Sequence, residues 1–277
     1  MKRDIKELQE KAAQLRETIV TMIHAAKSGH PGGSLSMADI FTVLYNGEMD
    51  IDPKDPEKAD RDRLILSKGH ACPVLYSSLA IKGYFPYDTI YTLRQLGSIL
   101  QGHPDMNKVP GVDMTTGSLG QGLSVATGIA FSQKFNGNGA RTYAVLGDGE
   151  LNEGQVWEAA MLANKLKLNN LVAIVDFNKL QLDGTCEEIM PIEPIDKKFE
   201  SFGWRVIKID GHDYEQILDA FEEARQEKEG PVCILAKTVK GKGVSYMEDQ
   251  IGWHGKAPSD EEFEIALGDI RSAKGCQ

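Results

Sequence analysis

Four short apolar runs limit this chain's fold more than any other feature: Thr142 to Leu146, Leu171 to Asp176, Arg205 to Ile209 and Val232 to Lys237. Each is too short for a buried helix and rich in branched side chains, as expected of strands covered on both faces. Segments of helical period lie between them, Val156 to Leu166 and Tyr214 to Gln226. The second of these opens on acids and closes on basic residues, which suits the helix dipole. Strands that alternate with helices demand right-handed crossovers. The expected fold is therefore α/β, a mostly parallel sheet with helices on both faces. In such a sheet ligands sit at the carboxyl ends of the strands.

Before the sheet, Ile5, Leu8, Ala12, Leu15, Ile19, Met22 and Ile23 recur at helical spacing and predict an amphipathic helix ending near Ser28-Gly29. Pro31-Gly32-Gly33-Ser34 reads as a loop, followed by a helix from about Ser36 to Asn46, and Leu123 to Phe131 reads as an apolar helix. The tail from Asp260 to Gln277 carries a short helical pattern and then polar residues free to fray. No internal repeat divides the sequence, and 277 residues with 41% hydrophobic content suffice for one large core, so residues 1–277 are expected to form a single domain with an N-terminal helix and a short C-terminal extension.

Polar residues at the strand ends carry the chemistry. Gly147-Asp148-Gly149 follows the first run, and Asn178 follows the second, thirty residues after Asp148. One crossover thus brings a carboxylate and an amide oxygen to adjacent strand ends. These are hard ligands of the kind Mg²⁺ or Ca²⁺ takes, and Mg²⁺ commonly completes its shell with phosphate oxygens. The two glycines let backbone approach a diphosphate, and the helix that follows turns its N-terminus toward it. A G-D-G turn alone is also an ordinary tight turn; the correctly placed Asn makes it a ligand site. No G-x-x-x-x-G-K-[ST] occurs, which excludes a P-loop hydrolase.

Histidine is the scarce residue, and four of the six sit beside glycines in loop-like blocks: Ser28-Gly29-His30-Pro31-Gly32, Ser67-Lys68-Gly69-His70-Ala71, Gly102-His103-Pro104 and Trp253-His254-Gly255. Imidazoles there could donate hydrogen bonds to a diphosphate or to sugar hydroxyls and could move protons near neutral pH. His24 and His212 fall outside the blocks and read as structural.

Gly147-Asp148-Gly149-Glu150 through Asn178-Lys179-Leu180 resembles the thiamine diphosphate motif. The histidine blocks, together with Gly117-Ser118-Leu119-Gly120-Gln121-Gly122 and in this order along nearly the whole chain, are similar to those of transketolases. The resemblance implies the thiamine diphosphate-binding fold and a metal held by Asp148, Asn178 and the carbonyl of Leu180. It implies His70 and His254 beside the cofactor diphosphate, with Gly117, Leu119 and Gly149 close by. His30 and His103 would face the substrate's hydroxyls, and His30, His103 and His254 would serve catalysis. Glu153 would sit at a subunit interface, in a carboxylate path between active sites, with Glu158 less firmly placed. The implied reaction is transfer of a two-carbon ketol unit from a ketose phosphate to an aldose phosphate in the pentose phosphate pathway, with thiamine diphosphate and Mg²⁺ or Ca²⁺.

Only the first of the family's three domains has a counterpart. The glutamate that activates the aminopyrimidine and the arginines that grip sugar phosphate belong to the second. The expected partner is thus a C-terminal transketolase subunit carrying the pyrimidine-binding and C-terminal domains, in a two-plus-two heterotetramer. The α subunit of a 2-oxo acid dehydrogenase shares the G-D-G to Asn motif but would lack the histidine blocks. A non-catalytic subunit that kept the fold is the other alternative, opposed by the intact Asp148, Asn178 and four histidines.

Charge and composition set the remaining bounds. A net charge of -10 with scattered Lys and Arg opposes nucleic-acid binding, so an anionic cofactor must be held by local devices. Met1 to Glu10 has no apolar signal core and Leu171 to Val175 is far too short to span a bilayer, so a cytoplasmic protein without membrane contact is expected. Cys72, Cys186, Cys233 and Cys276 lie far apart and read as reduced, mostly buried thiols.

Overall fold

A computed structural model describes residues 4–275. It opens on the predicted helix, α1 (Ile5–Ala26), whose N-cap Asp4 accepts the Glu7 backbone N–H at 3.1 Å and whose last turn is closed by Lys27 in the left-handed region. The predicted stripe points inward, with Leu8, Leu15, Ile19, Met22 and Ile23 buried. The next segment departs from the expected loop: Pro31-Gly32-Gly33-Ser34 is itself helical, α2 (Pro31–Leu35), and α3 (Ala38–Val43) follows. Proline at the first helical position supplies the required φ and needs no N–H partner, so here it starts a helix. The expected helix to Asn46 stops at Val43, where the chain widens into a π-turn, Leu44–Glu48, that ends through Gly47.

The sheet has five parallel strands in the order β1-β2-β3-β5-β4: β1 (Arg63–Leu66), β2 (Thr142–Gly147), β3 (Leu171–Phe177), β4 (Arg205–Asp210) and β5 (Val232–Lys237). Four match the expected runs within a residue. The edge strand β1 is additional; its four residues give no periodic signal between an Asp-rich stretch and a Ser-Lys-Gly-His turn. The crossover helices are α4 (Cys72–Lys82), α5 (Gly122–Asn136), α6 (Gly154–Lys165), two short pieces α7 (Cys186–Ile189) and α8 (Ile195–Ser201), and α9 (Tyr214–Gln226).

Alternate residues of each central strand enter two separate cores. Tyr143, Val145, Val172, Ile174, Val232 and Ile234 face α1, α3, α4 and α9, whereas Ala144, Leu146, Ala173, Val175, Cys233 and Leu235 face α5, α6 and α8. This burial of both pleat faces explains why the runs are continuously apolar. The tail forms a longer helix than expected, α10 (Asp260–Gly275), which lays Ala266, Leu267 and Ile270 on the α1 side of the molecule. Cys72, Cys186 and Cys233 are free and buried; Cys276 lies outside the described residues. Among the described residues no helix is long and apolar enough to cross a membrane.

Candidate functional site

Four adjacent strand ends converge on one cavity of about 230 Å³. Strand β1 runs out into Ser67-Lys68-Gly69-His70, β2 into Asp148-Gly149-Glu150, β3 into Asn178-Lys179-Leu180 and β5 into Thr238-Val239-Lys240. Lys68, His70, Leu119, Asp148, Gly149, Asn178, Leu180, Lys240 and His254 all line it. Sequence reasoning found two of the four strand ends and, through the resemblance, part of a third.

Asp148 is buried, yet each carboxylate oxygen is oriented by backbone: Oδ1 accepts Gly149 N–H at 2.8 Å and Oδ2 accepts Lys179 N–H at 2.5 Å. Lys179 takes the left-handed conformation to make the second bond, φ 65°, which turns the Asn178–Leu180 segment back over Asp148. Asn178 is fixed from both sides, since its Nδ2 donates to Asp176 at 3.1 Å and its Oδ1 accepts Leu180 N–H at 3.0 Å. One carboxylate, one amide oxygen and the Leu180 carbonyl thus offer hard oxygen donors with lone pairs to spare. Among the described residues no three His, Cys, Asp or Glu side chains gather as a metal cluster, so a metal here would depend on this mixed set and on ligand oxygens.

Two lysines missed by the sequence reading supply the cavity's positive charge. Lys68 is almost wholly buried; its Nζ meets Asp176 at 2.5 Å and donates to the Gly33 carbonyl at 2.8 Å. Lys240 Nζ donates to the carbonyls of Leu180, at 3.2 Å, and Gln181, at 2.9 Å, and lies 3.0 Å from His254 Nδ1. An ammonium has no lone pair, so His254 Nδ1 must accept and its proton resides on Nε2. The signal existed: the rule of strand carboxyl ends, applied to Val232–Lys237, points to the Lys-Gly-Lys-Gly turn beyond it.

Glu150 was also missed. Its buried carboxylate accepts the Ser67 hydroxyl and the N–H groups of Gly120, at 2.8 Å, and Gly147, at 3.1 Å. It therefore clamps the Gly117–Gly122 loop to the ends of β1 and β2. Gly117 needs its freedom, with φ +145° and any Cβ only 3.2 Å from the His103 ring.

Three of the four histidines form a cluster, with ring centroids of His30, His70 and His254 separated by 5.1–5.4 Å. His103 stands apart, exposed against Gly117, and neither it nor His30 is among the residues lining the cavity. Burial and then Lys68 depress His70 to about 2; burial and then Lys240 depress His254 to about 3; burial and then Arg94 depress His30 to about 4. At neutral pH all three are uncharged hydrogen-bonding groups. Burial, reinforced by Asp176, raises Asp148 to about 6, the expected price of a carboxylate placed for a cation. Burial and Lys68 lower Lys240 to about 8.

Glu153 does not reach the cavity; it is exposed at the start of α6 against Gly120, and Glu158 is exposed one turn on. The histidines outside the blocks tie elements together. His24 stacks on Phe263 at 4.1 Å, and His212 bridges Asp39 and the Val239 N–H. A second crevice of about 190 Å³ opens beside Arg16, Asp39, His212 and Tyr214, four groups already paired through Asp39.

Residues 8–271 match the family model described as transketolase, thiamine diphosphate binding domain. The chain belongs to the transketolase family. It is the family's N-terminal, diphosphate-binding part. The 6-deoxy-6-sulfo-D-fructose transketolase subunit SqwG of Clostridium sp. (strain MSTE9) is 43% identical over 264 residues, 95% of this chain and 96% of its own. An apulose-4-phosphate transketolase subunit of Phocaeicola vulgatus is 42% identical, over 92% of this chain and 90% of its own. Among solved structures, transketolase of Campylobacter jejuni superposes with a TM-score of 0.89 at 35% identity, covering 96% of this chain and 45% of that one. The chain thus spans nearly the full length of relatives that are named subunits, and under half the length of that solved transketolase.

Proposed function

We propose that this chain is the diphosphate-binding subunit of a two-chain transketolase that moves a two-carbon ketol unit from a ketose phosphate to an aldose phosphate. The observation that carries the reading is the convergence of Asp148, Asn178 and the Leu180 carbonyl on a cavity flanked by Lys68, Lys240, His70 and His254. The donor set fits the implied groups. Hard oxygens suit Mg²⁺ or Ca²⁺, and two buried ammonium groups with neutral imidazoles suit a diphosphate in an otherwise acidic protein. Gln181 Nε2, buried without a protein partner, is a further donor open to a ligand.

Thiamine diphosphate, when bound, supplies the carbanion-stabilising chemistry. The chain's own residues would do the rest of their share. Asp148, Asn178 and Leu180 would hold the cation against the diphosphate. Lys68, His70 and His254 Nε2–H would donate to phosphate oxygens, Lys240, its three N–H groups held by Leu180, Gln181 and His254, would add positive charge, and Leu119 would cover the apolar side. His30, packed against His70 and His254, and His103 would form an outer rim and hydrogen-bond substrate hydroxyls.

A cavity of about 230 Å³ is too small to envelop the whole cofactor, since enclosing sites for ligands of that size run to about 300–1,000 Å³. The remaining wall belongs to a partner. Phe131 and Phe135 on α5 and Met161 and Leu162 on α6 are large, apolar and 45–80% exposed, on the two helices that begin just after Gly120 and Glu153. Such a face supports docking of a C-terminal subunit, with Glu153 at the join, in a cytoplasmic two-plus-two heterotetramer. The names of the full-length relatives point to other ketoses, 6-deoxy-6-sulfo-D-fructose and apulose 4-phosphate, so the donor is tested as a panel.

The experiment mixes the purified chain with the pyrimidine-domain protein that co-purifies with it, thiamine diphosphate and Mg²⁺, and follows ketol transfer from xylulose 5-phosphate and those two ketoses. Transfer by the mixture and none by the chain alone is expected. Transfer by the chain unaided would overturn the two-chain reading, and none from any donor would overturn the activity.

A further inference from the structure

Behind His30 lies an arginine that neither the motifs nor the cavity accounts for. Arg94 follows a 3-10 turn, Tyr87–Thr92, in the left-handed region with φ 60°, and its N–H donates to the Leu100 carbonyl at 2.7 Å. A side-chain-bearing residue in that conformation stores strain that its surroundings must impose. The turn sends the guanidinium back toward α1's C-terminal loop. Nη1 donates to Ser28 Oγ at 2.9 Å and Nη2 lies 3.2 Å from His30 Nδ1. Its flat face rests on Gly102, where a Cβ would come within 3.2 Å of Cζ, Nε and Nη2, so Arg94 stands between the two histidines of the rim, His30 and His103. Its Nε–H is buried without a partner, so the group is not placed where its own hydrogen bonds are best satisfied.

A guanidinium has five N–H donors and no acceptor, and it does not deprotonate in proteins. The 3.2 Å contact is therefore a hydrogen bond only if His30 Nδ1 presents its lone pair, which leaves the ring's one proton on Nε2. We propose that Arg94 is a positioning residue, holding His30 as the neutral Nε2–H tautomer so that His30 meets the substrate only as a hydrogen-bond donor. This rests on the reading that the histidine rim receives the ketose. On the far side of the ring His30 Nε2 faces Gly255, whose lack of a side chain leaves room there: a Cβ would come to 3.5 Å. With Nδ1 occupied by Arg94, the ring has no free basic nitrogen, and His30 is excluded as the group that takes a hydroxyl proton.

The other groups facing the ring are His70, His254, His103 and Lys240, none of them an acid. Burial and Arg94, then His103 and Lys240, oppose a second proton on His30. Nothing among these neighbours other than Arg94 selects between the two neutral tautomers.

Nitrogen-15 NMR of the full chain labelled at histidine tests this, with His30 assigned by the signal lost in His30→Gln. In the wild type we expect a bare Nδ1, a protonated Nε2 and a titration midpoint near about 4. In Arg94→Met the tautomers should mix, and the midpoint should move up toward, without reaching, the ordinary value of about 6.5, because burial persists. A wild-type His30 protonated on Nδ1, or one unchanged in Arg94→Met, overturns the proposal. The wild-type measurement decides even if Arg94→Met fails to fold. In the reconstituted enzyme Arg94→Met should raise the ketose KM about tenfold, the loss of one well-placed donor, with partial rescue by Arg94→Lys. If no partner yields ketol transfer, the functional reading fails and the tautomer result still stands or falls alone.

Discussion

Replacing Lys68 with Met removes one end of an ion pair that is almost sealed from solvent, with side-chain exposures of 2% for Lys68 and 0% for Asp176. Methionine fills a similar volume, so the loss is electrostatic. Burial alone would push Asp176 up, but Lys68 outweighs it and holds the carboxyl below its usual range. Without Lys68 a buried carboxylate is left with neutral donors from Ser36, Thr238 and Asn178. Breaking a buried pair at one end costs about 3–5 kcal/mol. The three remaining donors place Lys68→Met near the lower bound, about 3 kcal/mol, and the Tm should fall by about 6–12 °C at about 2–4 °C per kcal/mol. Adding Asp176→Asn should restore at least about 1 kcal/mol, because an amide needs no countercharge while Ser36 and Thr238 can rotate to suit it. Urea denaturation of wild type, single and double variants, without cofactor, measures both numbers. A Lys68→Met variant within about 0.5 kcal/mol of wild type, or a double variant no more stable than the single, would refute the account of this pair.

Three further outcomes are expected. Asp148→Ala should abolish Mg²⁺-dependent binding of thiamine diphosphate in calorimetry of the reconstituted enzyme, and unchanged affinity would remove Asp148 from the metal site. His103→Ala should keep its Tm within about 1 °C, since the ring is exposed, yet lose about tenfold or more in ketose turnover; His30→Ala should lose at least as much. Asp39 resists burial through Arg16 and His212, which hold its carboxyl well below the usual range. A depressed folded-state value means its contribution is complete above about pH 4 and is lost as pH falls. Asp39→Asn should therefore destabilise by about 3–5 kcal/mol at pH 7, and the gap to wild type should narrow in denaturation series below pH 4; a gap independent of pH would contradict this.

The sequence alone determined the layers of this protein. Strands buried on both faces must be continuously apolar, and Thr142 to Leu146 and Val232 to Lys237 declare themselves for that reason; the amphipathic α1 does so through its one-sided stripe. Asp148 and Asn178 were legible because a single crossover separates them, so local spacing already puts them side by side. The strand-end rule could point to the turn that holds Lys240, but only tertiary structure brought Lys68 and Lys240 to the same cavity as the motif, since β1 and β5 are joined to it by sheet order and not by sequence distance. The same holds for Glu150, whose Ser67 and Gly120 partners lie in other segments, and for Arg94, which reaches His30 across 64 residues. A lysine or arginine read along the chain is most often a solvated charge. Whether it is instead buried, paired and aimed is settled by what the fold stacks against it, and that information is long-range.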